Sequence, residues 1–229
     1  MLIAFTDSSG NLLTFNGKPI SIGLPSGYTQ VSYIESDLNG AAASAGPYIN
    51  TGVIADVNTQ IDVKFSINDA TSSTNYCIYG ASNGNNYSSG ELALFWNYSS
   101  SYGGRILEPV CPQSNSTSNV LYRPNFTADI VYTCSFNKTR MIFNGSSQSA
   151  SWYSDYQGVR SLYLFATHRS SSVWSSSGLK LYHCKIYQSG SLIHDYIPAK
   201  NSSNVLGLYD LVSSTFLANS GGGRFITES

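Results

Sequence analysis

Charge is what this chain of 229 residues has least of: Asp, Glu, Lys and Arg make up 11% of it, where an ordinary domain carries about 25%. The formal net charge is −1 and no run of Lys or Arg occurs. Nothing here can neutralise a series of phosphates, so nucleic acid is not an expected partner. Long apolar runs are missing too. None approaches the roughly 18 residues of a membrane helix, and membrane insertion is not expected. The opening MLIAFTDSSGNLL has no basic n-region and only a short apolar run, so a secretory signal peptide is not expected. Met1 reads as a start, which suits a protein made in the cytosol and released by lysis or assembled into a particle. Cysteine is sparse as well. Cys77, Cys111, Cys134 and Cys184 are far apart, with no C-x-x-C or Cys/His ligand spacing, and read as buried free thiols, a disulfide being the lesser alternative. The aspartates Asp56, Asp69, Asp129 and Asp155 stand alone, without a D-x-D-x-D-G run. No cofactor is expected, calcium on a rim being the one alternative.

What the chain does have is Ser, Asn, Thr and aromatic residues, 17 of them Tyr. Its polar surface must therefore hydrogen-bond rather than steer by charge. Period-2 alternation recurs along it. In residues 59–67, TQIDVKFSI, the apolar Ile61, Val63, Phe65 and Ile67 share one face, and Asp62, Lys64 and Ser66 the other. That is the pattern of a half-buried strand. Further strands are predicted over 30–35, 76–81, 92–97, 130–137, 140–144, 161–167, 179–188, 192–198, 205–210, 215–218 and 224–226. Ser/Asn/Gly clusters at 83–90 and 170–178 read as strand-breaking turns, and 37–46 and 111–126 as long rim loops. Two hairpins have a local cause: Asn137-Lys138-Thr139, and Ser189-Gly190 between Gln188 and Ser191, where Gly190 can take positive φ. No stretch holds a helical period. Many short strands at turn-punctuated intervals predict an all-β, two-sheet antiparallel sandwich in a single domain spanning 24–229. Residues 1–23 read as a short β appendage, a hairpin around Ser9-Gly10-Asn11 and a linker, that docks or oligomerises the module or adds an edge strand to it.

Two blocks carry a resemblance. The first is Leu24-Pro25-Ser26-Gly27-Tyr28, then Tyr33-Ile34-Glu35-Ser36 and Tyr48-Ile49-Asn50-Thr51-Gly52. The second is Lys185-Ile186-Tyr187, Asp195-Tyr196-Ile197-Pro198-Ala199 and Gly207-Leu208-Tyr209-Asp210-Leu211-Val212. In this order they resemble a concanavalin A-like, laminin-G-like module of bacteriophage tail and virion proteins and gut-bacterial surface proteins. The resemblance implies a jelly-roll sandwich of the lectin/glucanase type, with paired first and last strands, on a virion surface. It covers the two ends of the chain. Its tyrosines and Pro198 read as framework, Pro198 at a strand end, with Asp195 and Asp210 bonded to backbone at turns.

Catalytic chemistry is thinly supplied. Glu35, Glu91, Glu108 and Glu228 form no E-x-D-x-E pair, whereas a glycosidase needs two carboxylates about 5–10 Å apart. A convergence such as Glu91 with Asp62 has nothing to recommend it. His183 and His194 come with no nucleophile motif and read as structural or solvated. The protein is expected not to be an enzyme. Three aromatic clusters remain: Trp96 with Tyr98; Trp152, Tyr153, Asp155 and Tyr156; and His168, Arg169 and Trp174. A sugar offers an apolar C–H face and a belt of hydroxyls, and an aromatic platform beside polar side chains matches both. Core filling is the competing reading, stronger for Trp96 than for Trp174. The expected function is a receptor-binding or decoration module that recognises host-surface glycan, homo-oligomeric with a trimer favoured, and joined to other virion proteins through residues 1–23. The alternatives are a structural capsid or tail protein without ligand, and a secreted lectin or glycan-active enzyme.

Overall fold

The alternation along residues 59–67 becomes the middle of a two-sheet β-sandwich in a computed structural model. The structure describes residues 24–68, 76–84, 90–99, 104–121, 124–125, 127–170, 173–175 and 178–228, together with the backbone of four short strands before them. Those four are β1 (Ile3–Ala4), β2 (Thr14–Phe15), β3 (Lys18–Pro19) and β4 (Ser21–Ile22). There follow β5 (Tyr28–Gln30), β6 (Ile34–Asp37), β7 (Ile49–Asp56), β8 (Thr59–Ile67), β9 (Tyr76–Ala81) and β10 (Leu92–Ser99). The middle holds β11 (Gly104–Pro112), β12 (Ser118–Val120), β13 (Tyr132–Phe136), β14 (Arg140–Phe143), β15 (Ser146–Ser149) and β16 (Gln157–Leu164). The chain ends in β17 (Ala166–His168), β18 (Val173–Ser175), β19 (Leu179–Gln188), β20 (Ser191–Asn201), β21 (Leu206–Asp210), β22 (Thr215–Ala218) and β23 (Arg224–Ile226). A single 3-10 turn, Ala43–Ala45, is the only helical piece among the described residues.

The larger sheet runs β15-β14-β13-β8-β19-β20-β21-β22, with β6 on β19, β23 on β6 and β5 on β20. The smaller runs β12-β11-β10-β9-β16-β7, with β17 on β9 and β18 on β17. Pairing in both is antiparallel except for β17 on β9. Ile61, Val63, Phe65 and Ile67 of β8 point inward and meet Ile49, Val53, Leu92, Leu94 and Trp96 from the smaller sheet in one apolar core. Each fully buried aliphatic or aromatic side chain there contributes about 1.5–3 kcal/mol. The four cysteines are buried and free. Burial pushes the thiols of Cys77, Cys134 and Cys184 up, so they stay protonated. The expected first strand, now β6, pairs with the last, β23, Phe225 opposite Ser36, although β5 precedes it and pairs with β20.

Several expectations need correcting. Residues 111–126 are not one loop, because Ser118–Val120 pairs with β11, Val120 opposite Val110. Residues 173–175 are not a turn but β18, with Trp174 opposite Thr167; serine flanks hid a strand whose edge needs no apolar alternation. Pro198 lies inside β20, opposite Leu208, not at its end. Its carbonyl accepts the Val31 amide, so its donorless nitrogen faces the same side, toward β5, and removes no ladder bond to β21. Asp210 does gather backbone amides, from Asp195, Val212 and Ser213. Asp195 instead bonds His183 and Lys185. The Asn137-Lys138-Thr139 turn closes β13 on β14, and Ser189 and Gly190 both take positive φ between β19 and β20. The residues of the expected N-terminal turn, Ser9-Gly10-Asn11, lie outside the described set. The pairing seen there sets β1 on β4 and β2 on β3. The second pair flanks Asn16-Gly17, a strong short hairpin signal that recurs at Asn144-Gly145 between β14 and β15.

Candidate functional site

The three aromatic clusters are not brought together on one surface. Trp96 sits in β10 between β9 and β11, and is wholly buried at 0% exposure. Tyr98 continues the same strand, and its side chain lies outside the described set. Trp152 and Tyr156 are buried too. Their rings meet edge-on, and Trp152 also meets Phe136 edge-on at 5.1 Å. The Trp152 amide is anchored to the Lys138 carbonyl and the Tyr153 amide to the Pro112 carbonyl, so this segment closes the sandwich. Tyr153 is half-buried against the core, and Asp155 is exposed at the turn between them. Trp96, Trp152 and Tyr156 therefore hold the fold and offer no face to a ligand.

Trp174 differs. Its strand is the outer member of a hairpin at the margin of the smaller sheet, and 42% of it is exposed. The Arg169 guanidinium lies over its ring, 5.3 Å from the centroid. Arg169 is itself only 8% exposed and reaches inward to Glu91, Nη2 to Oε1 at 3.5 Å. Glu91 is 0% exposed. Its Oε1 also accepts the Thr167 hydroxyl at 2.8 Å, and its amide donates to the Ser118 hydroxyl. Burial raises the Glu91 carboxyl, against the pull of Arg169 and Thr167. The negative charge of Glu91 is also felt by Tyr156, whose hydroxyl is pushed up first by burial. A line of groups thus runs from the interior, Tyr156 and Glu91, through Arg169 to the Trp174 surface. Among the described residues Glu91 Oε2 and Arg169 Nε have no hydrogen-bond partner.

The sheet makes room for this line at one position. A Cβ on Gly80 would come within 2.8 Å of Thr167 Oγ1 and 2.9 Å of Ala93 Cβ. Glycine there lets β17 lie parallel on β9, which brings Thr167 to Glu91. His168, which the sequence offered as a ligand contact, is used otherwise. Its ring stacks on Tyr163 at 4.1 Å, and Tyr163 stacks on Tyr48 at 4.4 Å. Its Nδ1–H donates to the Ser161 carbonyl at 3.0 Å, and burial holds its pKa below the usual imidazole value. It is a neutral brace for the hairpin. Glu91 was the residue that sequence reasoning passed over. It lies 78 positions from Arg169, and no local pattern could have joined the two.

The remaining acid groups are dispersed. Asp62 projects from the opposite face of β8 to the buried Ile61 and Val63, in the larger sheet, so it does not pair with Glu91. His194 donates its Nδ1–H to Asp210 at 2.7 Å and stacks on Tyr196, a structural role. Among the described residues no cluster of three or more His, Cys, Asp or Glu could hold a metal ion, and no helix is long and apolar enough to cross a membrane.

No family model matches the chain, and no curated protein does. Among solved structures, the fold is similar to full-length tailspike protein 2 of an Escherichia coli O157:H7 bacteriophage, at 10% identity and a TM-score of 0.50, over 80% of this chain and 31% of that one. The enzymatically active domain of bacteriophage CBA120 tailspike protein 2 aligns at 12% identity and a TM-score of 0.48, over 70% of this chain and 27% of that one. Scytalido-glutamic peptidase aligns at 12% and 0.36, over 84% and 100%. The chain spans less than a third of the tailspike chains it matches, and at these identities the likeness is one of fold.

Proposed function

We propose that this protein is a non-enzymatic surface module of a phage particle that contacts host-surface carbohydrate through Trp174. The observation that carries the reading is the braced exposure of that one tryptophan. A large apolar ring left 42% open to solvent, yet held from behind by a buried Arg169–Glu91–Thr167 chain, loses little freedom when a sugar ring stacks on it. That pre-organisation is what makes an aromatic platform effective. In sequence Trp174 lies among serines, SSSVWSSSG, a composition that suits hydrogen bonding to sugar hydroxyls. Placement on a virion draws on the sequence resemblance and on the tailspike-like fold. The non-enzymatic reading draws on the carboxylates: Glu91 and Asp210 are sealed from solvent, and Glu91 and Asp62 belong to different sheets. Weak monovalent sugar binding becomes useful through avidity in a homo-oligomer, with residues 1–23 joining the module to its neighbours on the particle.

A glycan array probed with the wild-type chain and with Trp174→Ala tests this. Binding to a defined set of host-surface glycans, abolished by the substitution and unaccompanied by cleavage, is the expected result. No glycan binding at all would favour a structural virion component, and turnover of a polysaccharide would make the protein an enzyme.

A further inference from the structure

The outer face of the larger sheet carries a second site, which shares no residue with the aromatic clusters. A cleft of about 500 Å³ opens there, lined by Lys64, Tyr182, His183, Lys185, Asp195 and Ile197 among others. That volume suits one or two pyranose units. Its cations come from neighbouring strands by register: Lys64 of β8 lies opposite His183 of β19, and Lys185 of β19 opposite Asp195 of β20. Asp195 already bonds two side chains of the lining, His183 Nε2 at 2.5 Å and Lys185 Nζ at 3.6 Å. Lys64 is exposed and stands 5.9 Å from the Tyr182 ring centre; among the described ion pairs it has no carboxylate. Asp62, across from Lys185 in register, is not in the lining, and its carboxylate accepts from the Gln60 amide. The lining thus sets two lysines against one carboxylate, an excess of one positive charge, in a chain with few charges to spend. The other wall is apolar, where Ile197 and Leu211 continue the small cluster beneath β5.

We infer that this cleft binds a sugar that bears a carboxylate. The carboxylate is received by Lys64 and Lys185, the ring's C–H face rests on the Ile197 wall, and Asp195 keeps His183 and Lys185 oriented. A carboxylate between two ammonium groups gains charge-assisted hydrogen bonds that a neutral hexose cannot offer. The inference does not rest on the Trp174 reading, since the two sites share no residue.

The test titrates sodium glucuronate, sodium N-acetylneuraminate, glucose and sodium acetate into the full ¹⁵N-labelled chain, following amide shifts of residues 64, 182–185 and 195. Saturable shifts with one of the acidic sugars, at least tenfold weaker with glucose and with acetate, are expected, and the two acidic sugars distinguish a hexuronate from a nonulosonate. Lys64→Ala and Lys185→Gln should each weaken binding at least fivefold, while Trp174→Ala leaves it unchanged. An equal response to glucose, an equal response to acetate, no response to either acidic sugar, or binding indifferent to both lysine substitutions overturns the inference. The lysines are solvent-exposed or half-buried, and an unchanged melting temperature separates lost binding from lost folding.

Discussion

Trp96 and Trp174 are the same side chain in similar settings, each followed by Asn, Tyr or Ser, yet one is at 0% exposure and the other at 42%. The difference comes from strand neighbours. Trp96 is bonded on both sides, by β9 and β11, in the middle of the smaller sheet, on the face that meets β8. Trp174 belongs to a two-strand margin, where β18 pairs only with β17 among the described strands. Composition sets what a residue can do, and position in the sheet decides which of those things it does. The same contrast separates two buried carboxylates. Asp210 is fully answered, by the Ser213 hydroxyl, His194 and the amides of Asp195, Val212 and Ser213. Glu91 is half answered and depends on one cation.

The largest effect should come from breaking the buried member of the pair. Trp96→Ala leaves a cavity between the sheets and should destabilise the protein by about 3–5 kcal/mol, read as a large fall in the urea midpoint, or should prevent soluble expression. Arg169→Ala comes next. It strips the buried Glu91 of its counter-ion and should cost about 3 kcal/mol by the same measurement, and it should weaken glycan binding by freeing the Trp174 ring. Gly80→Ala drives a methyl against Thr167 and Ala93, a loss of about 1–3 kcal/mol. Asp210 gives a pH signature. Burial alone would raise its carboxyl, but the Ser213 hydroxyl, the Asp195 amide, His194 and the Val212 amide hold it below the ordinary value of 3.8. A depressed carboxylate stabilises the fold above its unfolded pKa, and that contribution is lost as pH falls from about 3.8 through the lower folded value. Thermal melts of the wild type should therefore fall across that window, and Asp210→Asn should flatten that part of the profile. The smallest stability effect belongs to Trp174→Ala, within about 1 kcal/mol, because only an exposed ring and one cation–π contact are removed.

Much of the fold could be read from the residues. The alternation of Ile61, Val63, Phe65 and Ile67 announced β8, and the long apolar-polar run of residues 179–188 announced β19, because a half-buried central strand must show its period. Strands β7, β11, β12, β15 and β18 are not among the predicted ones. The last three are short, lie at sheet margins and carry Ser, Asn and Gln, which satisfy an edge without burying anything; β7 and β11 are long, but a glycine within the one and two prolines in the other read as turn signals. The site was legible to the same degree. Trp174 stood out among serines, and Arg169 stood beside it in the chain. Glu91, Thr167 and Gly80 could not be found, since their contacts arise from the parallel pairing of β17 on β9, a property of the assembled sheet. The packing of His168 was not legible, because a sequence does not reveal that Tyr163 stacks on it, with Tyr48 behind.

Binding of the wild-type chain and of Trp174→Ala to an array of host-surface glycans, measured with matched melting curves, is the decisive measurement. The proposal that Trp174 is a sugar platform requires at least a tenfold loss of affinity with the melting temperature nearly unchanged. Undiminished binding by a folded Trp174→Ala protein would contradict it.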